Sequence, residues 1–521
     1  YGSSYSDPEY QQTIAKYDFG VINMYENWGG GYPVMNEVVN NIKALNPDIL
    51  LTNYALLEST YDNSRAVALK LHSEVGPTGN GGTWEPNDWW AHHADGSTDT
   101  NPNYDNQFLT NHTRFVTPDG NGDRFSQFFG KWTAANLIAP VAGLDGVFTD
   151  NSFYKPRLNM DWDRNGVDDD QDATNVQAYY RTGIADFWAQ FKASLPGHLI
   201  MGNLGGQPSY RRGYARDAQY QRKVEGALAE TALGSGGSSE GYSGWYNLMT
   251  SYRSLLDNTL PPHLVLVGVR TTFDGRAGVN PNQYAGGAPY AFARYALATV
   301  LMDDGYIEFH HSGYGELRPP WFDELDLAGT ATTSWLGVAV DPPQRAPRQN
   351  GVFVRRFEHG LAIVNPRTEP YLVNENLNLR SAQVVDLAEL FPGQYYRRIV
   401  GIQDPVTNNG ELVTGPLVIQ PGDGLLLQRY IDEEPPVITS VVPSESMLWP
   451  PNHRMVDLSL AVMVTDNADP APITRIVSVS SNEAQGSNAP DWEITGDLTL
   501  KLRAERKGAG PGRIYTITVE S

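Results

Sequence analysis

Cysteine is absent from this chain of 521 residues. That absence removes disulfides, zinc–thiolate sites and cysteine nucleophiles together, and leaves the redox compartment open. Basic charge is scarce: 38 Lys and Arg stand against 60 Asp and Glu, a net charge of -22. Such a surface repels nucleic acid and anionic membrane, so neither is expected as a partner. No apolar run approaches the length of a membrane span. The start, Tyr1-Gly2-Ser3-Ser4, does not open a signal peptide, and a chain without an initiator Met is expected to be mature or trimmed.

What is present is a long chain rich in polar-handled rings. The 12 Trp and 28 Tyr against 17 Phe suit stacking on sugars or lining interfaces, the other reading being a large aromatic core. The length calls for two to four domains. As far as about residue 315, strand-like and helix-like segments alternate. Strands are expected at 19–24, 49–54, 146–150, 199–203, 226–230, 264–270 and 306–310. Helical spacing runs through Phe125, Phe128, Phe129 and Trp132, through Val176, Tyr179, Tyr180, Ile184, Phe187 and Phe191, and through Trp245, Leu248, Met249 and Tyr252. Repeated βα units imply a parallel sheet closed as a (β/α)8 TIM-like barrel over residues 1–325, with the eighth strand expected around Trp89-Trp90. After Trp321 short strands and Pro/Gly turns dominate, which reads as a β-sandwich over residues 326–432. The acidic, proline-containing linker Asp432-Glu433-Glu434-Pro435-Pro436 leads to residues 433–521. There Val456, Leu458, Leu460, Val462 and Val464 alternate, as do Tyr515, Ile517 and Val519, giving a small Ig-like β-sandwich that is expected to continue past Ser521.

The strand Gly146-Val147-Phe148-Thr149 delivers Asp150 at its end, followed by Asn151. It has no polar alternation and reads as covered on both faces, which puts Asp150 on the catalytic rim of a barrel; the plainer reading is a cap for the next turn. Glu230 closes Gly226-Ala227-Leu228-Ala229 in the same way about two βα units later. Paired carboxylates are the minimal equipment for cleaving a glycosidic bond, one attacking or stabilising the anomeric centre and one protonating the leaving oxygen. Glu225 starts its strand and belongs to the opposite end. The same strand-end rule adds Asn23, Tyr25, Glu26, Asn203, Arg270, Glu308, His310 and His311 as candidate substrate-binding residues, with Asn151 beside Asp150.

From Asp161 to Asp172 the chain carries six acidic side chains. Asp161, Asp163, Asn165, Asp169 and Asp172 fall at positions 1, 3, 5, 9 and 12, with Gly166 at 6 and the Val167 carbonyl at 7. This is the register of a calcium loop, and so many carboxylates repel one another without a cation; the alternative is a solvated acidic loop. A structural Ca²⁺ is the expected cofactor. Asp119, Asn121 and Asp123 repeat only the first three positions and read as a turn.

The segments Asp145-Gly146-Val147-Phe148-Thr149-Asp150 and Gly226-Ala227-Leu228-Ala229-Glu230 make residues 10 to about 430 resemble the hypothetical glycosyl-hydrolase-like barrel family numbered fifteen. The resemblance implies glycoside hydrolysis and a β-sandwich following the barrel. The tail resembles bacterial hyalin-repeat-like immunoglobulin domains through Leu448-Trp449-Pro450-Pro451-Asn452-His453, Thr465-Asp466-Asn467-Ala468-Asp469-Pro470, Ala489-Pro490-Asp491-Trp492 and Leu502-Arg503-Ala504-Glu505-Arg506. Members of that family often carry Cys where Ala468 and Ser521 stand, so packing replaces a disulfide here. That resemblance implies an extracellular or cell-surface bacterial protein. Two functions follow as expectations. One is a secreted, calcium-stabilised, retaining glycoside hydrolase acting on a polysaccharide or oligosaccharide, with Asp150 as nucleophile and Glu230 as acid/base. The other is a non-catalytic surface or assembly protein that keeps the barrel as scaffold or glycan binder and associates with its own copies through the Ig-like domain.

Overall fold

The computed structural model describes residues 5–22, 32–61, 89–102, 107–203, 217–233, 240, 244–270, 288–310, 322–325, 335–348, 351–366, 381–469, 471–485 and 489–521. The chain divides into two compact units. The first comprises Tyr1–Val385, Ile399–Asn409 and Val418–Leu427, and the second comprises Asp386–Arg398, Gly410–Leu417 and Gln428–Ser521.

Among the described residues, the first unit is built on seven parallel strands. In chain order they are β1 (Phe19–Ile22), β2 (Leu50–Leu56), β3 (Gly146–Asp150), β4 (Leu199–Asn203), β5 (Gly226–Leu233), β6 (Leu264–Arg270) and β7 (Tyr306–His310), and each pairs with the next. Between them run α1 (Pro8–Ile14), α2 (Tyr32–Leu45), α3 (Phe125–Thr133), α4 (Thr174–Ser194), α5 (Trp245–Asn258) and α6 (Ala288–Val300), with α1 leading into β1. Local chemistry starts and steers them. Asp7 caps α1 by accepting the Glu9 N–H at 2.9 Å, with Pro8 in the first helical turn. On α4, Val176, Tyr180, Ile184, Phe187 and Phe191 form the buried stripe, and each large apolar side chain there contributes about 1.5–3 kcal/mol of burial.

Strand alternation sorts side chains between two cores. Val147, Ile200, Ala227, Val265 and Val267 point outward into the main core beneath the helices. Their neighbours Phe148, Met201, Leu264 and Leu266 form a separate inner cluster with Phe19, Leu50, Tyr54, Leu199, Leu228 and Tyr306. Every one of the seven strands sends a residue to that inner cluster, so the sheet is curled into a barrel-like shape. Tyr306 on the last strand also senses the charge of Asp18, which precedes the first. Among the described residues an eighth parallel strand does not form at Trp89-Trp90. Trp90 instead makes an isolated antiparallel bridge to Thr110, and both indoles are buried against aromatic neighbours, Trp89 on Phe125 and Phe128 and Trp90 on Phe108.

Strands β8 (Phe353–Phe357) and β9 (Gly360–Asn365) form an antiparallel pair. The sequence places them in a separate sandwich, yet Phe353, Phe357, Ala362 and Val364 belong to the main core of the first unit. The Phe353 ring lies 4.5 Å from that of Trp245 on α5, and shared burial of this kind is what joins two segments into one folding body.

In the second unit, β10 (Val437–Pro443), β11 (Met455–Thr465), β13 (Thr499–Arg503) and β12 (Trp492–Gly496) form one sheet in that spatial order, and Arg475–Ser481 pairs with Tyr515–Glu520 in another. Leu458, Leu460, Leu500 and Leu502 from the first sheet meet Ile476 and Val479 from the second, the inward alternation of a small sandwich. Arg513, 3% exposed in its side chain, pairs with Asp491 at 2.7 Å and Glu483 at 3.3 Å inside it.

Candidate active site

The register that fills the interior also equips the mouth. On β3 the inward series runs Gly146, Phe148, Asp150; on β4 it runs Leu199, Met201, Asn203; on β2 it ends at Tyr54. Parallel pairing aligns these ends, Leu56 standing opposite Asp150 and Asn203 opposite Leu228. Side chains from different strands therefore meet at one rim, while Tyr54 and Phe148 stack beneath it at 6.0 Å.

Asp150 is buried and receives three hydrogen bonds. Tyr54 Oη donates to Oδ2, Asn203 Nδ2 donates to Oδ1 at 2.7 Å, and the Asn151 backbone N–H donates to Oδ1 at 2.9 Å. Burial raises its pKa, the Tyr54 and Asn203 hydrogen bonds oppose that rise, and the Glu230 charge adds to it. The other N–H of Asn203 Nδ2 goes to Glu230 Oε2 at 3.0 Å. One amide nitrogen thus bridges the two carboxylates and keeps the oxygens it touches within about 6 Å of each other.

Glu230 is placed by an irregularity. Between Ala229 and Leu233 the pairing of β5 with β6 slips, and Thr231 has φ +53°. A β-branched residue rarely adopts that conformation, and bulges re-aim side chains. Asn151, the residue after the other carboxylate, has φ +53° as well. Gly268 on β6 lies beside the bulge: a Cβ there would sit 3.1 Å from Ala229 O, Thr231 N and Glu308 Oε2. Glu308 on β7 completes the rim. Its carboxyl is pushed up to about 8, first by burial and then by the Glu230 charge, and no described residue donates a hydrogen bond to it.

The structure thus brings together Asp150, Asn151, Asn203, Glu230 and Glu308 of the residues named from sequence. Asn23, Tyr25, Glu26 and His311 lie outside the described residues, as do the side chains of Arg270 and His310. Glu225, at the other end of β5, is occupied with Lys192 and with the Ile200 N–H at 2.8 Å. Among the described residues the mouth also holds Tyr54 and Glu58. Tyr54 ends the expected strand at 49–54, so the strand-end rule that found Asp150 points to it too. Glu58 lies beyond the end of β2 with no periodic signal, and its carboxylate is pushed up to about 7 by burial against the opposing pull of Arg157 and Asn101.

In the acidic loop, Asp161, Asp163 and Asp169 converge with carboxylate oxygens within 4.8 Å of one another. The turn between them uses φ +63° at Arg164 and +86° at Gly166. Asp161 accepts the N–H groups of Asn165 and Gly166 at 2.8 and 2.9 Å, Asp169 accepts that of Trp162 at 2.9 Å, and Asn165 Oδ1 accepts that of Val167 at 2.9 Å. Asp172 is turned away to an ion pair with Lys155. Asp119 accepts the N–H groups of Asn121 and Asp123 in a turn, and Asp123 pairs with Lys131 at 2.7 Å.

No curated protein matches the chain. Among solved structures it is similar to an Anoxybacillus α-amylase, with 11% identity, 82% of this chain and 90% of that one covered, and a TM-score of 0.43. An α-amylase from Geobacillus thermoleovorans gives 11% identity, coverage of 82% and 92%, and a TM-score of 0.42. The glycoside hydrolase domain of PelA from Pseudomonas aeruginosa gives 12%, coverage of 58% and 90%, and 0.32. Residues 43–361 match the family described as Hypothetical glycosyl hydrolase family 15, a span that contains the six later strands of the curled sheet and the whole carboxylate rim. The chain belongs to that family.

Proposed function

We propose that the chain cleaves an O-glycosidic bond with retention, using Asp150 as nucleophile and Glu230 as acid/base. The observation that carries this reading is the Asn203 amide donating to both carboxylates, because oxygens held within about 6 Å fit the spacing of about 5–5.5 Å in retaining enzymes rather than the wider gap that an interposed water needs. Asp150 Oδ1 accepts two donors and Oδ2 accepts one; these donors oppose the rise that burial gives its pKa and leave Oδ2 a lone pair with which to attack the anomeric carbon. As that bond forms and the glycosidic C–O bond breaks, Glu230 gives its proton to the departing oxygen. In the second half Glu230 takes a proton from water, whose oxygen displaces the Asp150 carboxylate. Glu308, protonated at neutral pH, borders Glu230 without adding a negative charge.

Calcium fits the acidic loop through Asp161, Asp163 and Asp169, three hard oxygen donors converging on a tight turn. With Asp172 on Lys155, the ion would be held by those three carboxylates, with Asn165 and the Val167 carbonyl as the remaining candidates. Bound there, Ca²⁺ supplies structural charge balance. The terminal sandwich, by its resemblance to hyalin-repeat-like modules, is read as a spacer on a protein that works outside the cell.

Reducing-sugar release from a panel of poly- and oligosaccharides, comparing the parent with Asp150→Asn, tests the chemistry. Turnover by the parent alone, with the product appearing first in the substrate's anomeric form, is the expected result. Equal turnover by both would end the assignment of Asp150.

A further inference from the structure

Glu58 lies two residues past the end of β2 and is 3% exposed. Its carboxylate is gripped from three separate stretches of chain. Asn101 Nδ2 and Asn151 Nδ2 each donate to Oε2 at 3.0 Å, and Arg157 Nε lies 2.9 Å from Oε1. Arg157 is itself fixed over the Phe153 ring, 4.4 Å from its centre. Of these partners Asn151 matters most for chemistry. It directly follows Asp150, sits at φ +53°, and sends its backbone N–H to Asp150 Oδ1.

The left-handed region is uncommon for a residue with a Cβ, Asn adopting it more readily than most, and a held side chain favours it. For Asn151 the side chain is the tether, and Glu58 is where that tether ends. Burying a carboxylate costs desolvation, visible here as its upward shift in spite of the facing Arg157. We propose that Glu58 is a positioning residue: it holds the Asn151 side chain, and through the Asn151 N–H it sets the orientation of the Asp150 carboxylate. The inference rests on the reading of Asp150 as nucleophile for its catalytic meaning, and on geometry alone for the coupling.

The test is a double-mutant cycle in the full chain with Glu58→Gln, Asn151→Gly and the pair. Glycine tolerates the positive φ and keeps the N–H, so Asn151→Gly removes only the tether. Two quantities are read: the titration midpoint of Asp150 from carboxyl ¹³C shifts, assigned by their loss in Asp150→Asn, and kcat and KM on whichever glycan the parent cleaves. Glu58→Gln is expected to move the Asp150 midpoint and to lower kcat by about tenfold with KM changed by less than about twofold. In the Asn151→Gly background it should change neither further. Equal effects in both backgrounds would overturn the proposal, since they would mean that Glu58 acts by bare charge or by general stability. If the parent cleaves nothing in the panel, the glycosidase reading falls while the titration still decides the role of Glu58.

Discussion

Two acidic clusters of this protein lie close together in sequence and are built in opposite ways. At the mouth, Asp150 takes its side-chain hydrogen bonds from Tyr54 and Asn203, 96 and 53 positions away, and Glu58 takes one from Asn151, 93 positions away. In the loop that follows, Asp161, Asp163 and Asp169 take their donors from backbone N–H groups two to seven residues off, with Asp168 reaching instead to His93 and the Ala94 N–H. A local cluster is specified by spacing, and Gly166 and the Asp register suffice to draw it. The distant cluster exists only once the sheet has curled.

The sharpest way to break this contrast is to remove charge from the mouth. Asp150→Asn is expected to cut turnover by on the order of 10³-fold or more. Its melting temperature should hold or rise, because burial disfavours the carboxylate that it removes. A variant that lost stability along with activity would show that Asp150 is a structural group.

Packing around the mouth should be nearly as intolerant. Gly183 on α4 lies against the chain, and a Cβ there would stand 1.6 Å from the His112 carbonyl oxygen. Gly183→Ala is expected to cost about 3 kcal/mol or more in urea unfolding, the opposite of the gain that the same change gives on an open helix. In the loop, Gly166 has open space around it but φ +86°, so Gly166→Ala should cost only about 1–2 kcal/mol. Equal losses at the two positions would erase the distinction between tertiary and local construction.

The pH dependence of stability offers a third handle. The Glu308 carboxyl stands at about 8 in the folded chain against an ordinary 4.5, so the folded state holds this proton more tightly than the unfolded one. That contribution is complete below the ordinary value and is lost as pH rises through about 8. Glu308→Gln should match the parent near pH 4 and exceed its stability by a margin that grows by about 1.4 kcal/mol per pH unit until pH passes about 8. Parallel stability curves across that range would place the proton elsewhere.

A further effect is expected from the Ca²⁺ proposed for the acidic loop. Excess chelator should lower the melting temperature, and added Ca²⁺ at about a hundred times its dissociation constant should restore about 2.7 kcal/mol. Asp163→Asn should blunt both responses. Indifference of the parent to chelator and to Ca²⁺ alike would leave the loop sustained by its own backbone donors.

These contrasts explain what could be read from the sequence. The seven strands follow from short apolar runs and the helices from 3.6-residue spacing, and Asp150, Asn203, Glu230 and Glu308 follow from asking what stands at a strand's end. Glu58 could not be found that way. It lies past its strand, and its importance rests on Asn101, Asn151 and Arg157, whose proximity no local pattern encodes. The strand expected at Trp89-Trp90 shows the converse, since a pair of large rings satisfies a strand-like pattern while their burial against Phe108, Phe125 and Phe128 leaves only a single bridge. Apolar residues of β8 and β9 belong to the same core as the strands of the curled sheet, and a composition change cannot reveal which core a strand will join.

The Asn203 amide has a consequence for tolerance. A planar group with two N–H bonds at a fixed angle is a ruler that does not stretch, and its two marks are set by covalent bonds rather than by the breathing of seven strands. When the sheet flexes, the Asp150 and Glu230 oxygens it touches should travel together, so the gap on which the proposed mechanism depends is buffered against motion of the scaffold. Aspartate at position 203 would have the same outline and no marks to measure with.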